Sequence, residues 1–388
     1  MTLAAVRVLQ WRNLNPPSLV FRSLQHSSSF LANTSLSQRT MSTRRRSSST
    51  NAASNAIPEP RLSASLLLIN ANNEVLMIQR TKESRTFAGM HAFPGGNFDG
   101  SQDGPATEAG SIRMTAVRET FEETGILLAS PGQSGPIPDT TVLLNARKAI
   151  HSRNDPYTFP AFLQEHNLVV QEVLEKLIPF SQWITPASAK ARFHTHFFVA
   201  FLDELPNTVP AISDVSAAAQ QEIDPSSPTA TLPTTEPHRD VLPTDDGKVE
   251  VLETYFQHPA KILETFERGD ISLMPPQFYL LTTLKELLEG SAESSLQSSR
   301  SRFRDIAGQA FGARVFNPRF GGTVEGKDGV KRSVLMYEGD EAYNDPPSAT
   351  ESSRRWHRSL VTFREGRIAT IQLIRDIDVS KPPTVAKL

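Results

Sequence analysis

Residues 117 to 126, VRETFEETGI, set three glutamates and an arginine within ten positions and reach a glycine at 125. A helix advances about 100° per residue, so Glu119, Glu122 and Glu123 fall within an arc of roughly 100° on one side, while Met114, Val117 and Phe121 gather on the other. Arg118 precedes Glu122 by one helical turn, the spacing at which a guanidinium pins a carboxylate. Three carboxylates this close raise one another's pKa unless a cation compensates. A hard divalent cation, Mg²⁺ or Mn²⁺, suits them because it takes oxygen ligands and keeps waters that a phosphate displaces. A solvated helix face is the other reading of such a charge run.

The elements that must position these residues can be read on either side. EPRLSASLLLIN, a turn at NANNEV, and VLMIQR read as two strands. In HAFPGG, Phe93 closes an extended segment and Pro94-Gly95-Gly96 is expected to make a tight turn. The acidic helix is expected from about Thr107 to Thr124 with Gly125 as its C-cap, and ILLAS as a following strand. Residues 142 to 182 read as helical, ending at IPFSQWITP, and ARFHTHFFVAFL is the strongest strand in the sequence. KVEVLETYFQ resumes as a strand, followed by helices at HPAKILETFERG and MPPQFYLLTTLKELLEG, the second opened by prolines.

Composition divides the chain of 388 residues. Residues 206 to 247 hold seven prolines among Ser, Thr and Ala without an apolar period, and are expected to be a disordered insertion. From Met1 to Pro58 there is no Asp, Glu or Lys but there are seven arginines, the pattern of a disordered leader and of a mitochondrial presequence; Met41 is the alternative start. Residues 291–388 read as a polar extension with a small β appendage, and the final Ala-Lys-Leu is similar to a peroxisomal address. The expected domain is therefore 59–290. Zero cysteines exclude disulfides, thiolate nucleophiles and cysteine zinc sites. A net charge of −2 argues against a nucleic-acid partner, and no apolar run is long enough to span a membrane.

Phe93-Pro94-Gly95-Gly96 followed by Arg118-Glu119-x-x-Glu122-Glu123-x-Gly125-Ile126 resembles the Nudix box, G-x5-E-x7-R-E-U-x-E-E-x-G-U with U apolar. The resemblance implies an α/β class fold, the Nudix α/β/α sandwich with a mixed sheet, and a loop-helix-loop that binds divalent metal and hydrolyses a diphosphate linked to a nucleoside. Two departures stand out: Thr120 fills an apolar position, and 21 residues separate Gly96 from Arg118, eight more than the pattern. Position 110, where the first motif glutamate belongs, is a glycine, so that glutamate is either absent or replaced by Asp99, Asp103 or Glu108. The stretched box, His91, Ile184-Thr185-Pro186, Arg192-Phe193, Thr195, Phe197-Phe198 and the helical stretch from Pro275 to Leu281 resemble the Nudix motif 19 branch, whose members are coenzyme A and acyl-coenzyme A diphosphatases.

Carried over by position, this implies Glu119, Glu122 and Glu123 as metal ligands with a Gly95 or Gly96 carbonyl. Glu119, Glu122 and Arg118 become the catalytic group, and Arg80, Arg192 and Gly95 substrate contacts. Coenzyme A or its acyl form is then the nucleotide substrate, and organelle import receptors are the macromolecular partners. Glu250 or Glu253 is a further candidate ligand or base, and His194 and His196 read as histidines lining a half-buried strand. Other readings stay open: a Nudix hydrolase of ADP-ribose or a dinucleotide, or a weakly catalytic binding module. Glu122→Gln and Glu123→Gln are expected to remove turnover without lowering the melting temperature.

Overall fold

The run SLLLI has no polar alternation, and a strand of that kind is stable only if both its faces are covered. In the computed structural model it lies in β1 (Arg61–Ile69), whose last seven residues are all buried. The structure describes residues 57–82, 88–106, 109–132, 138–152, 156–189, 191–206, 251–289, 296–343, 355–378 and 381. The leader up to residue 56, nearly all of the expected insertion and the closing Ala-Lys-Leu lie outside them.

Around β1 the described residues build an eight-stranded mixed sheet. β1 pairs in parallel with β8 (Phe193–Phe201) along nine residues, and antiparallel with β4 (Gly95–Asn97) and the start of β2 (Val75–Arg80). β7 (Ile178–Ile184) lies beyond β8, while β3 (His91–Ala92) and β9 (Val251–Gln257) flank β2. Side chains alternate across the strands. Leu66, Leu68, Leu76, Phe198 and Ala200 face one core, and Leu67, Ile69, Val75, Met77, Phe197 and Val199 face the other. The first core is closed by α2 (Ala109–Thr124), α3 (Thr140–His151), α4 (Phe159–Glu165) and α5 (Gln171–Lys176). The second is closed chiefly by α6 (Pro259–Glu267), α7 (Pro275–Leu288) and α8 (Leu296–Ile306). The result is a sheet between two helical layers. The remaining short helix, α1 (Gly100–Asp103), precedes α2, and a small ribbon of β5 (Ser130–Pro131) and β6 (Leu168–Val169) sits apart from the main sheet.

Three expectations are corrected. Ile126–Ala129 is not a strand: its residues are buried beside α2 and only Ser130–Pro131 pairs. Ile178–Ile184, expected as the end of a helix, is β7, because its alternate side chains Phe180 and the Ile178 edge pack into the second core. The segment after residue 290 is more than a polar extension. It returns β10 (Val315–Phe316) to pair with β7, and buries Phe303, Phe311 and Phe316 in the second core. It then forms a four-stranded antiparallel sheet, β11 (Arg319–Glu325), β12 (Lys331–Met336), β13 (His357–Arg364) and β14 (Arg367–Arg375). That sheet docks on α7 through the buried Tyr279 hydroxyl, 2.8 Å from Nε2 of His357. The expected boundary at 290 thus crosses one continuous core.

The acidic helix is anchored by Phe121, whose ring stacks at 5.6 Å on Phe162 and lies 6.1 Å from Phe159. Truncating a fully buried aromatic removes its transfer free energy and leaves a cavity. Phe121→Ala is expected to lower unfolding free energy by about 3–5 kcal/mol in a urea titration with unchanged m. A loss below about 1 kcal/mol would show that α2 is not held by this cluster.

Candidate active site

The strongest feature of α2 is that its acidic face is not solvated. Glu122 and Glu123 are 6 % and 3 % exposed and Arg118 is 4 % exposed. Val117 and Phe121 anchor the helix in the first core as the helical period requires, with Met114 packed against it, but α1 and α3 cover much of what remains. Charges so far from water must be compensated by other charges and hydrogen bonds.

Arg118 supplies much of the compensation. Its Nε and Nη2 donate to the two oxygens of Asp103, at 2.8 and 2.9 Å. Nη1 donates to Glu119 Oε1 at 2.9 Å and Glu122 Oε1 at 2.7 Å, and Nη2 also reaches the Asn97 carbonyl. Asp103 takes further hydrogen bonds from the Thr115 hydroxyl and the Asp99 N–H. Of the three acids offered for the missing first motif position, the structure brings Asp103 to the arginine. Asp99 instead caps α1 from outside, accepting from the Ser101 N–H, and Glu108 lies outside the described residues. The extra length therefore falls mainly between Asp103 and Arg118, in the connection to α2.

The other carboxylates are held from the sheet and from α3. Glu123 accepts from the Gly95 N–H at 2.8 Å and from Arg80 at 3.2 Å. Glu122 faces Nδ1 of His151 at 3.2 Å, and its backbone carbonyl accepts from Arg147 Nε at 2.7 Å. Arg147 and His151 were missed from sequence. Their signal is their own spacing, one turn apart on α3, which aims both at the same residue of α2.

The glycine stretch is also not the tight turn expected. Gly95, Gly96 and Asn97 pair as β4 with Ser65, Ala64 and Ser63. Glycine is required by closeness. A Cβ on Gly95 would lie 2.4 Å from the Ala64 carbonyl oxygen, and one on Gly96 2.5 Å from the Glu119 carboxylate. The Glu119 side chain thus occupies the space above Gly96.

Burial pushes the Glu119 carboxyl up to about 7, against the pull of Arg118 and with the push of Glu122. Burial also works against charge on Glu122, but the His151 hydrogen bond and the Arg118 charge hold it below the usual carboxylate range. For Arg118, burial is more than offset by Glu119, Asp103 and Glu122, and its pKa rises.

Other expected residues are placed elsewhere. Arg192 donates to the backbone carbonyls of Thr185 and Pro58, and makes no contact with the carboxylate cluster. Glu253 is exposed on β9, opposite Gln79, and Glu250 lies outside the described residues. Unlike Arg192, Arg80 does reach the cluster, through Glu123.

Among the described residues, no three acidic or histidine side chains stand together at coordinating distance. The donor chemistry nevertheless fits a divalent cation: Glu119 lies against Gly96, and Glu123 holds the neighbouring amide, so carboxylate oxygens and glycine backbone meet at one place.

Comparison with known proteins finds similar sequences and folds. Residues 100–233 match the family model described as the NUDT19 Nudix domain. An acyl-coenzyme A diphosphatase NUDT19 of Gallus gallus is 25% identical over 261 residues, covering 62% of this chain and 54% of its own. A putative nudix hydrolase 7 of Caenorhabditis elegans is 32% identical over 149 residues, covering 38% and 46%. The chain spans about half the length of the curated relatives it matches. A NUDIX hydrolase from Alicyclobacillus acidocaldarius superposes with TM-score 0.41 at 20% identity, covering 59% of this chain and 92% of that one. Residues 100–233 are thus similar to a Nudix domain of the NUDT19 type.

Two outcomes follow from the geometry. Because Glu122 and Glu123 are buried and paired, the expectation that their Gln variants keep the melting temperature is replaced: each is expected to lower it along with activity. Asp103→Ala is expected to cost about 3–5 kcal/mol, since it strips a buried guanidinium of its side-on partner. Asp99→Ala, which removes a helix cap, is expected to cost about 1 kcal/mol. Chemical denaturation compares them, and equal losses would contradict the assignment of Asp103.

The Glu119 shift gives a pH signature in metal-free protein. A carboxyl near 7 when folded and 4.5 otherwise binds more protons folded than unfolded between those values. Its contribution is largest below about 4.5 and is lost as pH rises toward 7. Glu119→Gln should flatten that part of the stability profile, measured by urea midpoints in chelator. An unchanged slope would contradict the burial of this carboxyl.

Proposed function

We propose that this protein is a metal-dependent hydrolase of the diphosphate in coenzyme A or acyl-coenzyme A, releasing 3′,5′-ADP and 4′-phosphopantetheine or its acyl form. The observation that carries it is the arrangement of Glu119, Glu122 and Glu123 on one buried helix against Gly95 and Gly96, in a region similar to a Nudix domain of the NUDT19 type. The names of the Gallus gallus and Homo sapiens relatives, both acyl-coenzyme A diphosphatases, support the substrate class.

In this reading Glu119, Glu122 and Glu123, with the Gly96 carbonyl, would hold Mg²⁺ or Mn²⁺. Such an ion neutralises diphosphate oxygens and lowers the pKa of water bound to it. The chain's own contribution is placement. Arg118 draws Glu119 and Glu122 together through a single nitrogen, and Asp103 keeps the guanidinium in that plane. His151 and Arg147 fix Glu122 from the opposite side. Glu119, whose Oε1 rests on Arg118, is the carboxylate assigned to take the proton of the attacking water. Water adds to one phosphorus, the P–O–P bridge breaks, and the leaving phosphate departs with the bridging oxygen. No covalent enzyme intermediate is needed, in keeping with a chain that has no cysteine.

The cellular address belongs to the same proposal. The Arg-rich, acid-free leader supports mitochondrial import, and the closing Ala-Lys-Leu supports peroxisomal import. Among the described residues, no helix is long and apolar enough to cross a membrane.

The test is a substrate panel of coenzyme A, acetyl-coenzyme A, ADP-ribose and NADH with Mg²⁺ or Mn²⁺, following 3′,5′-ADP from the first two and AMP from the others. Coenzyme A substrates should be preferred, and Glu119→Gln should lower kcat by about 10²-fold or more. Preference for ADP-ribose would overturn the substrate, and inactivity on the whole panel would favour a binding module.

A further inference from the structure

The acid that steadies Arg118 sits on the least self-sufficient element of the site. α1 is four residues long, with Asp103 as its last, and a helix of one turn has no stability of its own. Its position is therefore set by what its side chains grip. Asp103 grips α2, through Arg118 and the Thr115 hydroxyl. Bonds to that one neighbour alone would let the turn pivot about them.

Gln102 supplies the second grip. It precedes Asp103 by one position, so the two side chains leave α1 about 100° apart and meet different helices. Gln102 Oε1 accepts from the backbone N–H of Phe159 at 2.6 Å. Phe159 is the first residue of α4, and its N–H is one of those that a helix start leaves without an internal partner. Thr158, the N-cap, accepts from the Ala161 N–H instead, and Pro160 has no N–H to offer. Gln102 thus completes a cap that α4 does not complete from its own residues. Phe159 is fully buried, and its ring lies 6.1 Å from Phe121 of α2. The contacts close a ring: Gln102 to Phe159, Phe159 to Phe121, along α2 to Arg118, Arg118 to Asp103, and back to Gln102 through one peptide bond. Held from two helices, the turn loses its pivot.

The consequence reaches the carboxylates. The N–H groups of a guanidinium lie in one plane. Asp103 takes Nε and Nη2 side-on and so sets that plane, and Nη1 in the same plane donates to Glu119 and Glu122. A tilt of α1 would turn the guanidinium and move both glutamates.

We propose that Gln102 is a positioning residue of the acid cluster: by capping α4 it locks α1 between α2 and α4, and through Asp103 and Arg118 it holds Glu119 and Glu122 in place. Only the effect on turnover rests on the proposed function; the lock itself does not.

The test compares three variants of the full chain, each labelled with ¹⁵N-arginine. Gln102→Met keeps the length of the side chain and removes the acceptor, and Gln102→Glu keeps an acceptor. Thr158→Ala removes the other side-chain cap of α4, a bond internal to that helix. The readout is solvent exchange of the Arg118 Nε–H, which Asp103 shields while α1 is docked. In Gln102→Met the docked turn leaves a buried N–H without an acceptor, so undocking is favoured and exchange should quicken about tenfold. Gln102→Glu and Thr158→Ala should stay within about threefold of the unaltered protein. On coenzyme A with Mg²⁺, Gln102→Met should lower kcat about tenfold with KM within about twofold. Equal exchange in Gln102→Met and Thr158→Ala, a Gln102→Glu defect as large as that of Gln102→Met, or an unchanged kcat in a protein that cleaves coenzyme A would each overturn the inference. The two readings fail separately, because the exchange measurement needs neither metal nor substrate. Absence of coenzyme A cleavage with this exchange pattern intact removes the hydrolase assignment alone, whereas normal cleavage with Gln102→Met exchanging no faster than Thr158→Ala removes the lock alone.

Discussion

The structure depends on one buried guanidinium. Arg118 is almost wholly enclosed, and it is tolerable there because Asp103, Glu119, Glu122 and the Asn97 carbonyl together use its donors. The same bonds that satisfy the arginine decide where the carboxylates point. Two glutamates one turn apart would drift apart by repulsion, but a shared nitrogen draws them together. The cluster is therefore a consequence of paying for one buried charge, and its geometry is inherited by whatever binds there.

The second constraint is the approach of α2 to β4. Gly95 and Gly96 lie where any side chain would strike the β1 backbone or the Glu119 carboxylate. This contact couples helix to sheet. It puts the Glu119 carboxylate directly over Gly96, in the row of the sheet that Gly96 shares with Ala64.

Much of this was legible in the sequence because it is local. The 100° arc of Glu119, Glu122 and Glu123, the Gly125 C-cap, and the Arg118–Glu122 spacing are properties of one helix, and Gly125 does take a left-handed conformation with φ +72°. The strands β1, β8 and β9 and the helices α6 and α7 could be read from apolar runs and proline starts. What could not be read is non-local. Asp103 was one of three acids until the fold of α1 brought it to Arg118. His151 and Arg147 meet Glu122 across 29 and 25 residues of sequence. Ile178–Ile184 carries apolar residues at a spacing compatible with either helix or strand, and only pairing with β8 decides it. The glycines were read as a turn because their usual role is conformational, whereas here they serve closeness.

The measurement that bears most directly on the central claim is an anomalous difference map from crystals grown in Mn²⁺. The account predicts a peak between the Glu119 carboxylate and the Gly96 carbonyl, with a second carboxylate of the same helix turned toward it. A well-diffracting crystal showing no peak along α2, or a peak confined to other residues, would contradict the claim that this buried acid cluster is a metal centre.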